Sequence, residues 1–315
     1  MFQALKELKA APGRTAMITV TVTLIAVLVT FLSSLTSGLG YQSVSALKQL
    51  AGDRNLVLAD TGTPTLAASQ LTPAQAKQAE NEGGELFYSF RTRVGDDPVM
   101  VMSDAAVAPG TALTHLDAQN IQAGNTQLTV QRNDTELFSD HQPVVLVNPA
   151  DAAKAAQPNG AWLAGGAAPI EHTQVLSGSE RWKASASYAG EQMSLTMMVV
   201  MLYAISALVL GAFFMVWTMQ RLRGVAISSA LGASGKVLAA DAIGQALLVM
   251  LTGIIVGTLI TVAAATAAGG AMPVVISAGT TLRPGLILLA AGLAGAALSL
   301  RPVFKVSPRT ALANA

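Results

Sequence analysis

Residues 192–220 read QMSLTMMVVMLYAISALVLGAFFMVWTMQ, with no charged side chain between Glu191 and Arg221. At 1.5 Å of rise per residue, about 20 apolar residues carry a helix across the hydrocarbon of a bilayer. A soluble core helix rarely stays uncharged for so long. Two further stretches share the property, from Arg14 to Lys48 and from Asp241 to Arg283. The sequence thus predicts membrane spans over about 15–39, 194–217 and 242–268. A shorter fourth span is expected over about 284–300, with Arg283 snorkelling at its outer end. Composition agrees: 52% of the chain is hydrophobic and 12% charged, against roughly 25% charged in soluble domains. A cleaved signal peptide would have an apolar core of only about 7–15 residues and a small-residue cleavage site. The run after Arg14 is longer and residues 33–40 offer no convincing site, so a retained first helix is favoured.

Residues 41–190 read instead as a water-soluble α+β domain inserted between the first and second spans. RNLVLAD (54–60), DPVMVMSD (97–104), TQLTVQRND (126–134) and QPVVLVNP (142–149) have the composition of strands bounded by turn residues. LTPAQAKQAENEGG (71–84) predicts a helix. Thr72 is its N-cap, Pro73 its first residue and Gln75 the partner in a capping box, and Gly83-Gly84 stops it. Residues 2–11 suit a short amphipathic interfacial helix with Phe2, Leu5 and Leu8 on one side, broken by Pro12-Gly13. The expected division is 1–40, 41–190 and 191–315.

The charges carry topology. Residues 41–192 hold 16 acidic and 9 basic residues, whereas the rest of the chain holds 2 acidic and 10 basic. Lys6, Lys9 and Arg14 precede the first span; Arg221, Arg223 and Lys236 lie between the second and third; Arg301, Lys305 and Arg309 follow the fourth. With four spans all nine fall on one side, which the positive-inside rule makes cytoplasmic. Both termini are then cytoplasmic and the inserted domain is extracytoplasmic. These basic residues flank apolar runs and form no patch, which argues against nucleic-acid binding. The absence of Cys excludes disulfides, thiolate metal sites and cysteine nucleophiles. His115, His141 and His172 are widely separated and read as ordinary surface or turn residues, with no metal constellation expected. Gly235-Lys236 is not a Walker A motif: Ala230 takes the place of its first glycine and Val237 that of Ser/Thr. Any ATP must be hydrolysed by another chain.

This plan resembles the MacB/FtsX-type permeases of ABC transporters, which have one span, a large extracytoplasmic domain and three more spans. Two local patterns strengthen the resemblance. Gln220-Arg221-Leu222-Arg223 followed by AISSALGAS (226–234) is similar to the family's basic amphipathic segment ending in A-L-G-A-S. RPVFKVSPRTAL (301–312) is similar to its R-x-x-x-x-V-D-P-x-x-A-L ending. Gly224 and Ser229 depart from the acidic and basic residues common there, and Ser307 stands where the family has Asp. Within the family, SYAGEQMSLTMM (187–198) and LYAISALVLGAFFMVWTMQR (202–221) look closer to the haem-exporter, HrtB-type permeases.

The resemblance implies a bacterial plasma-membrane homodimer working with two copies of an ATPase that carries ATP and Mg²⁺. It implies no permanently bound cofactor, with haem as the cargo exported from the outer leaflet. Residues 220–236 would be the coupling helix, with Arg221, Arg223, Ala230, Leu231 and Gly232 meeting the ATPase. From the residues alone, Gly232 can end a helix and Ser234 can cap the next, or the segment is simply a topogenic basic loop. At the outer end of the second span, Met193, Met197 and Met201 fall at i, i+4 and i+8. Tyr188, Glu191 and Gln192 sit just above, with Met198 and Tyr203 nearby. A methionine stripe in a membrane helix usually serves packing. Thioether, phenolate and carboxylate can also approach haem iron. The resemblance raises that possibility for Glu191, Tyr188 and Met193 as iron contacts, with Met197 and Met198 beside them. Gly253-x-x-x-Gly257 in the third span, with Gly292 and Gly295 in the fourth, suits either packing within the chain or dimerisation. Asp241, at the cytoplasmic mouth of the third span, is expected to cap or to pair with a basic neighbour. The rival function is an FtsX-like regulator of a cell-wall hydrolase; within the transporter class, the rival is export of another lipophilic cargo.

Overall fold

The computed structural model describes residues 12–124, 126–230, 233–269 and 272–300, with backbone alone for Arg14 and for most of 221–230. The expected interfacial helix over 2–11 and the C-terminal motif at 301–312 lie outside these residues. The chain divides into two compact units, Gly38–Ser194 and Met1–Ser37 with Leu195–Ala315.

Helix α1 runs from Pro12 to Ala51, twelve residues beyond the expected end of the span. At 40 residues it is about 60 Å long, twice what a bilayer core needs. The surplus belongs to the inserted domain. Its Val44, Leu47, Leu50 and Ala51 are buried with Leu56, Leu58, Phe87, Met102 and Trp162. Burying one such leucine is worth about 1.5–3 kcal/mol, so the helix continues because the domain needs it as a core element.

Two sheets form that domain. The smaller has the order β11-β1-β10-β2. It comprises β1 (Asn55–Ala59), β2 (Glu85–Phe87), β10 (Gly160–Leu163) and β11 (Thr173–Leu176). A Cβ on Gly160 would stand 2.7 Å from the Val57 carbonyl, so only glycine fits that register. The larger sheet has the order β3-β4-β9-β5-β7-β6, with β8 also on β9. Its strands are β3 (Ser89–Val94), β4 (Asp97–Ser103), β5 (Thr111–Thr114) and β6 (Asn120–Ala123). They are joined by β7 (Thr126–Arg132), β8 (Phe138–Ser139) and β9 (Gln142–Val147). Pairs β4–β9 and β5–β7 are parallel, and the others antiparallel. Alternation places Met100, Met102, Val144 and Leu146 in the core shared with α1. Val99, Val101, Val145 and Val147 face a second core with Ile121 and Leu128. Helix α2 (Pro73–Asn81) starts as expected, with Thr72 and Gln75 closing a reciprocal capping box behind Pro73. Helix α3 (Pro149–Ala152) follows β9.

Helices α4 (Ala186–Ala230), α5 (Gly235–Ala267) and α6 (Ala278–Ser299) follow in the described residues. With α1 they make, among the described residues, four helices long and apolar enough to cross a membrane. Helix α6 starts six residues before the expected Pro284, because Ser277 and Thr280 form a capping box and the proline is carried inside the helix. The membrane unit packs Ile18, Val22, Ala26 and Val29 of α1 against Val249, Met250 and Ile254 of α5. Leu210 and Phe214 of α4 and Leu288 and Ala296 of α6 join them. Of the two uses open to the G-x-x-x-G pair, the structure shows packing within the chain. A Cβ on Gly253 would stand 2.7 Å from the Val22 Cβ, and one on Gly257 the same distance from the Ala26 Cβ. A Cβ on Gly295 would reach the Gly211 Cα at 2.8 Å.

Candidate functional site

The most tightly built feature near the predicted site is the turn between β8 and β9. Ser139 pairs with Gln142, leaving a two-residue connection of Asp140 and His141. Both have left-handed backbones, with φ of 47° and 61°. That conformation suits a two-residue hairpin, and Asp and His are among the non-glycine residues enriched in it. The backbone amides of Asp140 and His141 donate to the carbonyls of Ser43 and Gln42 in α1. The Asp140 carboxylate turns to the start of α4. Its Oδ1 accepts from the Ser185 hydroxyl at 2.7 Å, the Ser187 amide at 3.0 Å and the Ser187 hydroxyl at 2.9 Å. The Ser185 hydroxyl in turn accepts from the Tyr188 amide at 3.2 Å. A carboxylate and a serine cap thus satisfy the first amides of the helix, where negative charge is favoured.

One turn further, the His141 Nε2 lies 3.1 and 3.3 Å from the two oxygens of Glu191. His141 sits in a turn, as expected; its contact with Glu191, a predicted site residue, was not foreseen. No spacing rule reveals a partner 50 positions away. His172 does sit in a turn, at φ 54°. His115 lies against the Phe138 ring, with a buried Nδ1 that makes no hydrogen bond. Among the described residues no group of three or more metal-ligating side chains occurs.

The other predicted residues are placed as follows. Tyr188 is half-buried and packs on the domain core. Met193, in the inserted-domain unit, is 75% exposed. Met197, Met198 and Met201, in the membrane unit, are all more than half exposed. Packing within this chain therefore does not account for the methionine row. Arg221, Arg223 and Ala230 lie on the last turns of α4 by backbone, while Leu231 and Gly232 lie outside the described residues. Ser234 is the N-cap of α5 by its extended backbone, without the side-chain hydrogen bond expected of it. Asp241 accepts from the amide of buried Gln245 at 2.9 Å, so its partner is polar and uncharged.

The fold defines a class: a polytopic membrane protein made of one helix, a large α+β insertion and three more helices. No family model matches the chain. Three curated relatives match it nearly end to end, each described as "Putative hemin transport system permease protein HrtB". That of Staphylococcus haemolyticus is 26% identical, over 98% of both chains. Two from Staphylococcus epidermidis strains are 25% and 24% identical over the same shares. In plan and in whole-length similarity the chain resembles the HrtB-type ABC permeases.

Proposed function

We infer that this chain is the permease subunit of an ABC efflux system that exports haem, with ATP hydrolysed by a separate subunit. The observation that carries this is the whole-length similarity to hemin transport permeases. The exposed Met193, the half-buried Tyr188 and the Glu191–His141 pair, all in the inserted-domain unit, support it. Haem is flat, greasy and edged with carboxylates, so an interfacial surface with thioether, phenol, carboxylate and imidazole groups suits it. Methionine, tyrosine and histidine all serve as axial ligands to haem iron. The working unit is a homodimer with two ATPase copies, in the plasma membrane with both termini cytoplasmic. The segment over 220–236 transmits ATPase closure, and cargo leaves from the outer leaflet.

The test is a haemin titration of the purified protein with its ATPase, read at the Soret band. Tyr188→Phe, Glu191→Ala, Met193→Ala and His141→Ala are titrated alongside. A saturable shift near one haem per dimer, weakened at least tenfold by one of these changes, is expected. A linear, non-saturating response, the same in every variant, would remove haem as cargo and leave a permease for another cargo or an FtsX-like regulator of a cell-wall hydrolase.

A further inference from the structure

The larger sheet of the inserted domain is not closed. Its terminal strands β3 and β6 approach within 8 Å between Cα atoms, yet they share no ladder. Along them runs a groove of about 790 Å³ lined by Phe90, Arg91, Arg93, Pro98, Gln122 and Gln142, among others.

Register shows which backbone groups face this groove. Val94 pairs with Asp97 across the two-residue turn, and Arg93 pairs with Pro98. Proline has no N–H, so the Arg93–Pro98 position is a non-hydrogen-bonded one. Antiparallel positions alternate. The N–H and C=O groups of Ser89, Arg91 and Arg93 therefore point away from β4, to the free edge. Ser89 confirms the phase, since its amide donates outward to the Asn159 Oδ1 at 2.6 Å. Among the described residues, no hydrogen bond takes up the corresponding groups of Arg91 and Arg93. This is an unpaired strand edge of the kind that accepts an added strand.

The side chains state what would add. Arg91 and Arg93 project on one face, and neither enters any of the described ion pairs. Both side chains are exposed, so their guanidinium groups are available to an incoming carboxylate. Asp97 stands at a register position on the opposite face, beside Val94. Gln142, also lining the groove, has a buried Oε1 without a hydrogen-bond partner. We propose that the groove beside β3 binds an extended polypeptide segment with acidic residues at alternate positions. The segment adds to the β3 edge through the backbone of Arg91 and Arg93, and its carboxylates meet their guanidinium groups. Opposite charges directly across a strand pair favour that register.

The test uses the full-length protein in detergent and a fluorescent octapeptide pool. Alternate positions are Glu or Asp, and the rest are Thr, Val, Ile or Tyr. A matched pool with Lys in place of the acids is the control. Saturable anisotropy for the acidic pool alone is expected. It should weaken at least tenfold when the amides of alternate residues are N-methylated, and survive in the Arg91→Lys/Arg93→Lys protein. In the Arg91→Glu/Arg93→Glu protein, preference should pass to the Lys pool. Binding insensitive to N-methylation and competed by free glutamate would mean an anion site only, and would overturn strand addition. Absence of binding by either pool would overturn it too.

Discussion

At the scale of single residues, Asp140 is the pivot of the candidate site. It takes three hydrogen bonds from Ser185 and Ser187 and occupies a left-handed backbone. Asp140→Ala should destabilise the protein by about 1–2 kcal/mol, the usual cost of a lost cap. Asp140→Asn, which keeps the acceptor, should cost clearly less; thermal unfolding of the purified protein reads both. Nothing in the sequence announced this role, because Asp140-His141 lacks the glycine that marks such turns and its partners are some 45 positions away. Glu191, by contrast, was legible as the last charge before a long apolar run. A second acid, Asp151, is buried at the start of α3. The Lys154 side chain, and then the Gly110 amide, hold its carboxyl below the usual carboxylate range. A depressed folded pKa gives stability that is present above the unfolded value, about 3.9 for Asp. That stability is lost as pH falls through the lower folded value. Fluorescence of buried Trp162, followed on acidification, should thus show an acid transition below about pH 4. Asp151→Asn should be less stable at neutral pH and flatter through that acid range.

At the scale of elements, the sharpest prediction concerns glycines in α5. A Cβ on Gly257 would meet the Thr23 carbonyl at 2.7 Å and the Val27 amide at 3.1 Å, both backbone atoms of α1 that cannot rotate aside. Gly257→Ala should therefore push the two helices apart and cost about 1–3 kcal/mol. Gly244, in the same helix, has nothing within 4 Å of its missing Cβ. Gly244→Ala should be neutral or stabilising by up to about 1 kcal/mol. Thermal melts of the two variants in one detergent separate close packing from simple propensity. The spans were legible because lipid selects long uncharged runs, and α2 was legible because its capping box is local. The ends of α1 and α6 were not. The extension of α1 to Ala51 is held by burial against strands distant in sequence, and α6 begins at Ala278, behind the Ser277–Thr280 cap and six residues before the start expected at Pro284. Short strands such as GAWL at 160–163 went unread for a similar reason: all four residues are buried, so no alternation marks them.

At the scale of the whole molecule, the proposal stands on sidedness. Nine Lys and Arg residues flank the four helices on one predicted side. Insertion favours keeping such residues cytoplasmic. A long inserted domain, by contrast, says little, since long segments cross largely regardless of charge. The chain has no Cys, so a single introduced thiol reports its own location. Gln70 is exposed on a loop of the inserted domain, and Ser234 is exposed at the N-cap of α5 with no side-chain cap bond to lose. On intact cells, a membrane-impermeant maleimide should label Gln70→Cys and leave Ser234→Cys unlabelled until the membrane is opened. Co-expression of the ATPase should then slow labelling of Ser234→Cys severalfold, because that position belongs to the segment proposed to couple to it. The reverse labelling pattern would place the inserted domain in the cytoplasm, and an outer-leaflet exit would then be impossible. Correct sidedness with no protection by the ATPase would keep the topology and remove the coupling role from residues 220–236.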